Sequence, residues 1–410
     1  MRNPLDARQL TRCALACSAL VIAAAAWSQE VIEPDFSAGK KFKELVAHSS
    51  EGTNSTQAVA APVLLAPLAG SRFVTLPQEA NFPEGIAVDP GTGNLFVGTF
   101  DVQPDGSGSN YLLRYSATGQ LLAQLPLGVI PATGLAFNPR DRKIYFAQPG
   151  GLLGLSSFIQ RVPAAFDTST PLEPVAQIPD VGAPAPRAET TLDGQQINIL
   201  FPDSIPAPNG LTFRASDGAL LLTDSLQAAV FAINDPTSTA NICPVTSGCV
   251  KLIKQDPLLA SAAFPQLGAN GLVLSADEST LYLTNTGDDR LLALRMSDTQ
   301  LTVMTDSLEG ADGIQLGPDN TLIVSCSLAD EFAVVDPATG RIVAELGEFR
   351  GISSDGSVRG LLFPGSFVVL NNVLFANNLA LPLSGRPSEP ELNVRVYTIS
   401  RLLLPPAFRR

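Results

Sequence analysis

Histidine is almost missing from this chain of 410 residues: His48 is the only one, and it falls in a polar segment before any regular pattern begins. Its scarcity excludes a Ser-His-Asp triad and a His-rich zinc site, so any hydrolysis must run without imidazole. Charge is sparse as well, at 16% of residues, and the formal net charge of −13 lacks the clustered Lys and Arg that grip a phosphate backbone. Nucleic acid is therefore not an expected partner. Of five cysteines, Cys13 and Cys17 sit in an N-terminal apolar stretch, which leaves Cys243, Cys249 and Cys326. The first two flank a tight loop and can pair in an oxidising compartment; Cys326, at a predicted strand end, reads as a small buried hydrophobe rather than a nucleophile. No linker appears after about residue 66, which argues against several independent domains.

What the chain does have is 33 glycines, 33 prolines and 45% hydrophobic residues, a composition suited to many short strands joined by turns. Arg2, Arg8 and Arg12 precede an apolar run from Cys13 to Trp27, then Ser28. That layout predicts a secretory signal over 1–28 and an exported protein, periplasmic or extracellular, with no membrane contact after cleavage; an uncleaved anchor is the alternative. Residues 29–65 read as a flexible lead-in with a helical turn from Ser37 to His48, and 66–405 as one repeat architecture.

The repeat emerges when six segments are aligned on Gly85, Gly134, Gly210, Gly271, Gly313 and Gly365. Each glycine opens a short alternating strand, a polar turn follows, and a second apolar strand starts nine or ten positions on, at Leu95, Ile144, Leu220, Leu281, Leu322 and Leu374. Outer hairpins follow several units, as in Tyr111 to Leu125 and Phe332 to Leu346. The units match one four-stranded blade each, with insertions between Gly134 and Gly271 expected to overhang one channel mouth. The predicted fold class is all-β, a six-bladed β-propeller. Its sixth blade has a strand at Val394 to Ile399 but lacks a fourth, which Arg72 to Leu76 can supply, so that N- and C-terminal strands share the closing blade and no sheet edge is left unpaired.

The residues just before the glycines ring one mouth of the channel: Glu84, Thr133, Asn209, Asn270, Asp312 and Pro364. Glu84, Asn209, Asn270 and Asp312 offer carboxylate or amide oxygen and no sulfur or imidazole, the donor set of a hard cation such as Ca²⁺. Asn-Gly and Asp-Gly are common turn dipeptides, which accounts for part of this set but not for Glu84 in the same register. Were Glu84 and Asp312 about 5 Å apart without a cation, their repulsion would be about 3 kcal/mol at an effective dielectric of about 20. Asp101, Asp224 and Asn285 end second strands and are expected on the same face, as is Thr133, orienting the ligands or contacting substrate.

The glycine-anchored units and their acidic and amide residues resemble the gluconolactonase, senescence marker protein and luciferin-regenerating-enzyme family, over about Leu68 to Leu402. The resemblance implies a catalytic divalent cation (Ca²⁺, or Mg²⁺, Mn²⁺ or Zn²⁺) held by Glu84, Asn209, Asn270 and Asp312, and hydrolysis of a small-molecule lactone or related ester. Asp312 or Asp224 would guide a water or attack directly. The family's substrate-contacting arginine has no clear counterpart, since Arg187 lies in a Pro-rich insertion, and the histidine dyad of the more distant paraoxonases is absent. A non-catalytic propeller that binds a ligand or protein around a structural cation stays open as the alternative.

Overall fold

The computed structural model describes residues 70–408 except 104, 192, 202–203, 239–242, 244–247 and 385. The leader at 1–28 and the lead-in at 29–65 lie outside the described residues, as does His48.

Six four-stranded antiparallel sheets stand around one axis. Their innermost strands are Pro83–Val88, Leu135–Asn138, Pro208–Phe213, Ala269–Leu274, Ala311–Leu316 and Pro364–Leu370, and each touches the next until the last touches the first. This closed cycle is the six-bladed propeller expected from the repeat, and no α-helix occurs among the described residues. The strands form because β-branched, Leu and aromatic residues alternate or run together between Gly, Asn and Asp turns. In the second strands, Leu95–Thr99, Leu220–Asp224 and Leu322–Cys326 are buried at every position, since neighbouring blades cover both faces.

The core is therefore a set of layers between blades. Phe96, Leu112, Ile144 and Phe146 fill the space between blades one and two. Between blades five and six, Phe332 and Phe367 meet edge-on with ring centroids 4.8 Å apart.

Blade six closes the ring with both ends of the chain. Ser71–Thr75 is its outermost strand, paired antiparallel with Thr398–Leu403, which lies beside Val373–Asn378. The expected strand at Val394 to Ile399 instead spans Thr398–Leu403, because 379–397 is a long excursion containing a short 3₁₀ turn at Pro390–Asn393. Two small hairpins lie outside the blades, Arg187–Thr190 with Gln196–Ile199 and Phe349–Ile352 with Val358–Gly360.

The glycine at five of the six anchors has a packing cause, Gly365 being the exception, since its Cβ would meet nothing nearer than 3.4 Å. A Cβ on Gly85, Gly134, Gly210, Gly271 or Gly313 would lie 3.0 Å or less from a backbone carbonyl oxygen of the adjacent blade: Thr133, Asn209, Asn270, Asp312 and Gly365 respectively. The inner strands approach so closely that only hydrogen fits between them.

Candidate metal centre

In four blades the inner strand is bulged where the ring residue and its glycine stand: between Pro83 and Ile86, Pro208 and Leu211, Ala269 and Leu272, and Ala311 and Ile314; in blade six the bulge between Pro364 and Phe367 holds Gly365 and Ser366, so the ring position there is Gly365, one residue later than the expected Pro364. A bulge turns the extra residue out of the pleat, here toward the axis. Glu84, Asn209, Asn270 and Asp312 are each between 4% and 9% exposed.

Glu84 and Asp312 sense one another directly. Burial, and then the neighbouring Asp312 charge, push the Glu84 carboxyl well above its ordinary range. Burial pushes Asp312 up to about 7, partly offset by hydrogen bonding from Ser327 and from Asn270. Three of the four ring groups thus face one space, and Asn209 adjoins them through Gly210, which packs on the Asn270 carbonyl.

The amides are fixed from behind. Asn209 Nδ2 donates to Ser225 Oγ at 3.1 Å, and Ser225 donates to the Ala269 carbonyl of the next blade. Asn270 Nδ2 donates to Thr286 Oγ1 at 2.9 Å, and Thr286 donates to the Ala311 carbonyl. In blade five Ser327 Oγ lies 3.2 Å from Asp312 Oδ2 and donates to the Pro364 carbonyl. Each hydroxyl orients a ring side chain and ties it to the following blade. Sequence reasoning missed Ser225, Thr286 and Ser327. Their signal was available: Thr223-Asp224-Ser225, Thr284-Asn285-Thr286 and Ser325-Cys326-Ser327 repeat a hydroxyl pair two positions apart, in the three blades that carry Asn209, Asn270 and Asp312.

The other expected residues face elsewhere. Asp224 is fully enclosed and its carboxylate accepts from Ala207 N, Leu226 N, Gln227 N and Gln227 Nε2. Burial outweighs those donors and raises its pKa to about 6. Its acceptors are used in holding the start of the inner strand, so the expectation that it acts on substrate finds no geometric support. Asn285 Nδ2 donates to the Leu258 and Ala260 carbonyls, pinning the 256–268 loop. Asp101 accepts from Gln103 Nε2 and Asn81 Nδ2, both in mouth loops. Thr133 Oγ1 donates to the Pro208 carbonyl across the blade two to three seam.

Arg187 is buried and ion-paired with Asp288 at 2.6 Å, and also donates to the Pro257 and Ala260 carbonyls. Asp288 lies in the loop after Asn285, at the ring end of blade four, so the Arg187–Thr190 strand is clamped at that mouth. With its guanidinium spent on this clamp, Arg187 does not serve as a substrate arginine. Large apolar side chains exposed in loops, Val129, Leu155, Leu200, Phe264, Leu328 and Leu392, all lie at the ring end; those exposed elsewhere sit on outermost blade strands, at Leu403 on the third strand of blade six or, for Ile197, on the clamped hairpin. At the opposite end a hollow of about 310 Å³ is lined by Arg140, Asp141 and Asp217 among others. Arg140 there donates to the Ala215 carbonyl, Asp217 is paired with Arg214 and Asp141 accepts from Tyr145.

The donor set fits a hard cation. Among the described residues, Glu84 Oε2 and Asp312 Oδ1 are buried carboxylate oxygens without a hydrogen-bond partner, and no ring residue is basic. No cluster of three or more His, Cys, Asp or Glu occurs among the described residues, so a cation here draws on amide oxygen as well as carboxylate.

No protein-family model and no curated protein matches the sequence. Among solved structures, the fold is similar to that of a luciferin-regenerating enzyme, at 11% identity over 80% of this chain and 93% of that one, with a TM-score of 0.53. A protein described as a gluconolactonase (12% identity, 83% and 94% coverage, TM-score 0.47) and virginiamycin B lyase from Staphylococcus aureus (14%, 82% and 99%, 0.45) resemble it more loosely. The chain is a six-bladed β-propeller of the shape seen in luciferin-regenerating enzyme, and at such identity the likeness is one of fold.

Proposed function

We propose that the protein is an exported, divalent-metal-dependent hydrolase of a lactone or related ester, with Glu84, Asn209, Asn270 and Asp312 as cation ligands and Ca²⁺ the best match to their oxygen donors. The observation that carries this reading is the meeting of Glu84 and Asp312 in a buried ring with an unpartnered oxygen on each. Two such groups ionised together are unfavourable unless a positive charge stands between them. When bound, the cation would supply electrophilic polarisation of an ester carbonyl. Asn209 and Asn270 present oxygens held in place by Ser225 and Thr286, while Asp312, one oxygen bonded to Ser327, is the group assigned to orient the attacking water. The apolar loop side chains at this mouth suit an ester with an apolar arm. The Cys243–Cys249 disulfide accords with an oxidising compartment and so with export.

A second reading is a non-catalytic propeller whose cation is structural. It is favoured by the absence of a spare general base: Asp224 is consumed by hydrogen bonds and no histidine occurs among the described residues. An assay of purified protein on lactones and aryl esters, with and without chelator and beside Asp312→Asn, separates the two. The hydrolase loses its turnover, by about 100-fold or more, in both treatments. Tight Ca²⁺ binding without turnover on any substrate favours the structural role.

A further inference from the structure

Blade six breaks the pattern of the ring. Its ring position is held by Gly365, which has no side chain, since the bulge between Pro364 and Phe367 contains Gly365 and Ser366, and the blade stands between those of Asp312 and Glu84. In blades three, four and five the second-strand residue opposite the bulge is Thr223, Thr284 or Ser325. Each donates its hydroxyl to a carbonyl of the next blade's ring segment, those of Asn270, Asp312 and Gly365 respectively. The equivalent residue in blade six is Asn377. Its Nδ2 makes the same bond, to the Glu84 carbonyl at 2.8 Å.

A hydroxyl would complete that seam; the amide adds an oxygen that the seam does not use. Asn377 is 0% exposed, and its Oδ1 has no hydrogen-bond partner. Since Nδ2 must donate to Glu84, the amide cannot flip to relieve Oδ1. Gly365, beside it on the inner strand, has no side chain to cover this sector. Three buried oxygens without partners, Glu84 Oε2, Asp312 Oδ1 and Asn377 Oδ1, therefore belong to consecutive blades of one ring. An acceptor buried without a partner costs about 1–3 kcal/mol, and a cation is the partner that serves all three.

We infer that Asn377 is a fifth oxygen ligand of the cation site, filling the sector that Gly365 leaves empty. The inference rests on the cation reading of the ring. The test is calorimetric titration of Ca²⁺ into the metal-stripped full chain, with apo melting temperature as the check on folding. Asn377→Thr keeps the donor to the Glu84 carbonyl, as Thr223 and Thr284 do in their blades, and removes the amide oxygen. It is expected to melt like wild type without Ca²⁺ and to bind Ca²⁺ about tenfold or more weakly. Asn377→Ser, which also offers a hydroxyl donor to the Glu84 carbonyl, as Ser325 does to its own partner in blade five, and removes the amide oxygen, is expected to behave in the same way. Wild-type affinity in either variant overturns the assignment of Asn377 while leaving the ring as a cation site. Failure of the wild-type chain to bind Ca²⁺ instead overturns the cation reading, and this inference with it.

Discussion

At the scale of single residues, burial sets the electrostatics of this protein more than pairing does. Asp224 and Asp330 are both pushed by burial to about 6, although each accepts backbone hydrogen bonds, Asp330 from Phe363 N at 2.7 Å. An acid whose folded pKa lies above its unfolded value holds its proton more tightly when folded. Its contribution to stability is complete below the unfolded value of 3.8 and is lost as pH rises toward about 6. Asp217, Asp277 and Asp355, lowered to about 2 by hydrogen bonds from neighbours, act in the opposite sense and over a separate window, below about 4. Stability should thus rise from pH 2 to 4 and fall from 4 to 6. Asp330→Asn keeps an acceptor for Phe363 N, should match wild type near pH 4, and should exceed it near pH 7 by up to about 3 kcal/mol. Urea unfolding across that range checks this, and parallel curves for the two proteins would refute it.

At the scale of elements, blades three, four and five repeat one device: a bulge that turns the ring residue inward, a glycine that admits the next blade's carbonyl, and a second-strand hydroxyl that ties the two together. Five of the glycines and their ring residues were legible in the sequence because those glycines admit no side chain and the ring residues share their register, whereas blade six is shifted by one residue. The hydroxyl pairs were legible in form, since Thr223-Asp224-Ser225 and its two counterparts recur. Their meaning was hidden, because the partners of Ser225, Thr286 and Ser327 lie on the following blade, more than 20 residues away. Asp224 and Asn285 show the converse. Sequence placed them at the right end of the right strands, yet their side chains turn to the backbone of mouth loops that the repeat does not specify. If the glycines exist for close approach, Gly134→Ala and Gly271→Ala should each cost about 3 kcal/mol or more. Gly70→Ala, whose Cβ would meet nothing nearer than 3.6 Å, should cost less than about 1 kcal/mol. Equal losses at all three positions would remove the packing account.

At the scale of the whole molecule, closure decides stability, since a propeller with an open blade presents unpaired strand edges. Deleting 71–75 within the full chain strips blade six of its outermost strand and should lower the melting temperature by about 5 °C or more, with concentration-dependent self-association seen in sedimentation. An unchanged, monomeric deletion variant would show that the terminal strand is dispensable. The sequence by itself determined the number of blades, the shared closing blade and five of the six positions of the ring, because those depend on local periodicity and on a glycine at each close approach; in blade six the close approach is made without the anchor glycine, and the position falls on Gly365 rather than Pro364. Only the tertiary structure decided that Arg187 is a clamp over the mouth, that Asp224 is occupied by backbone, and that Asn377 holds a buried oxygen beside Glu84. Those facts depend on contacts between segments tens to hundreds of residues apart, where no short-range pattern constrains which side chain meets which.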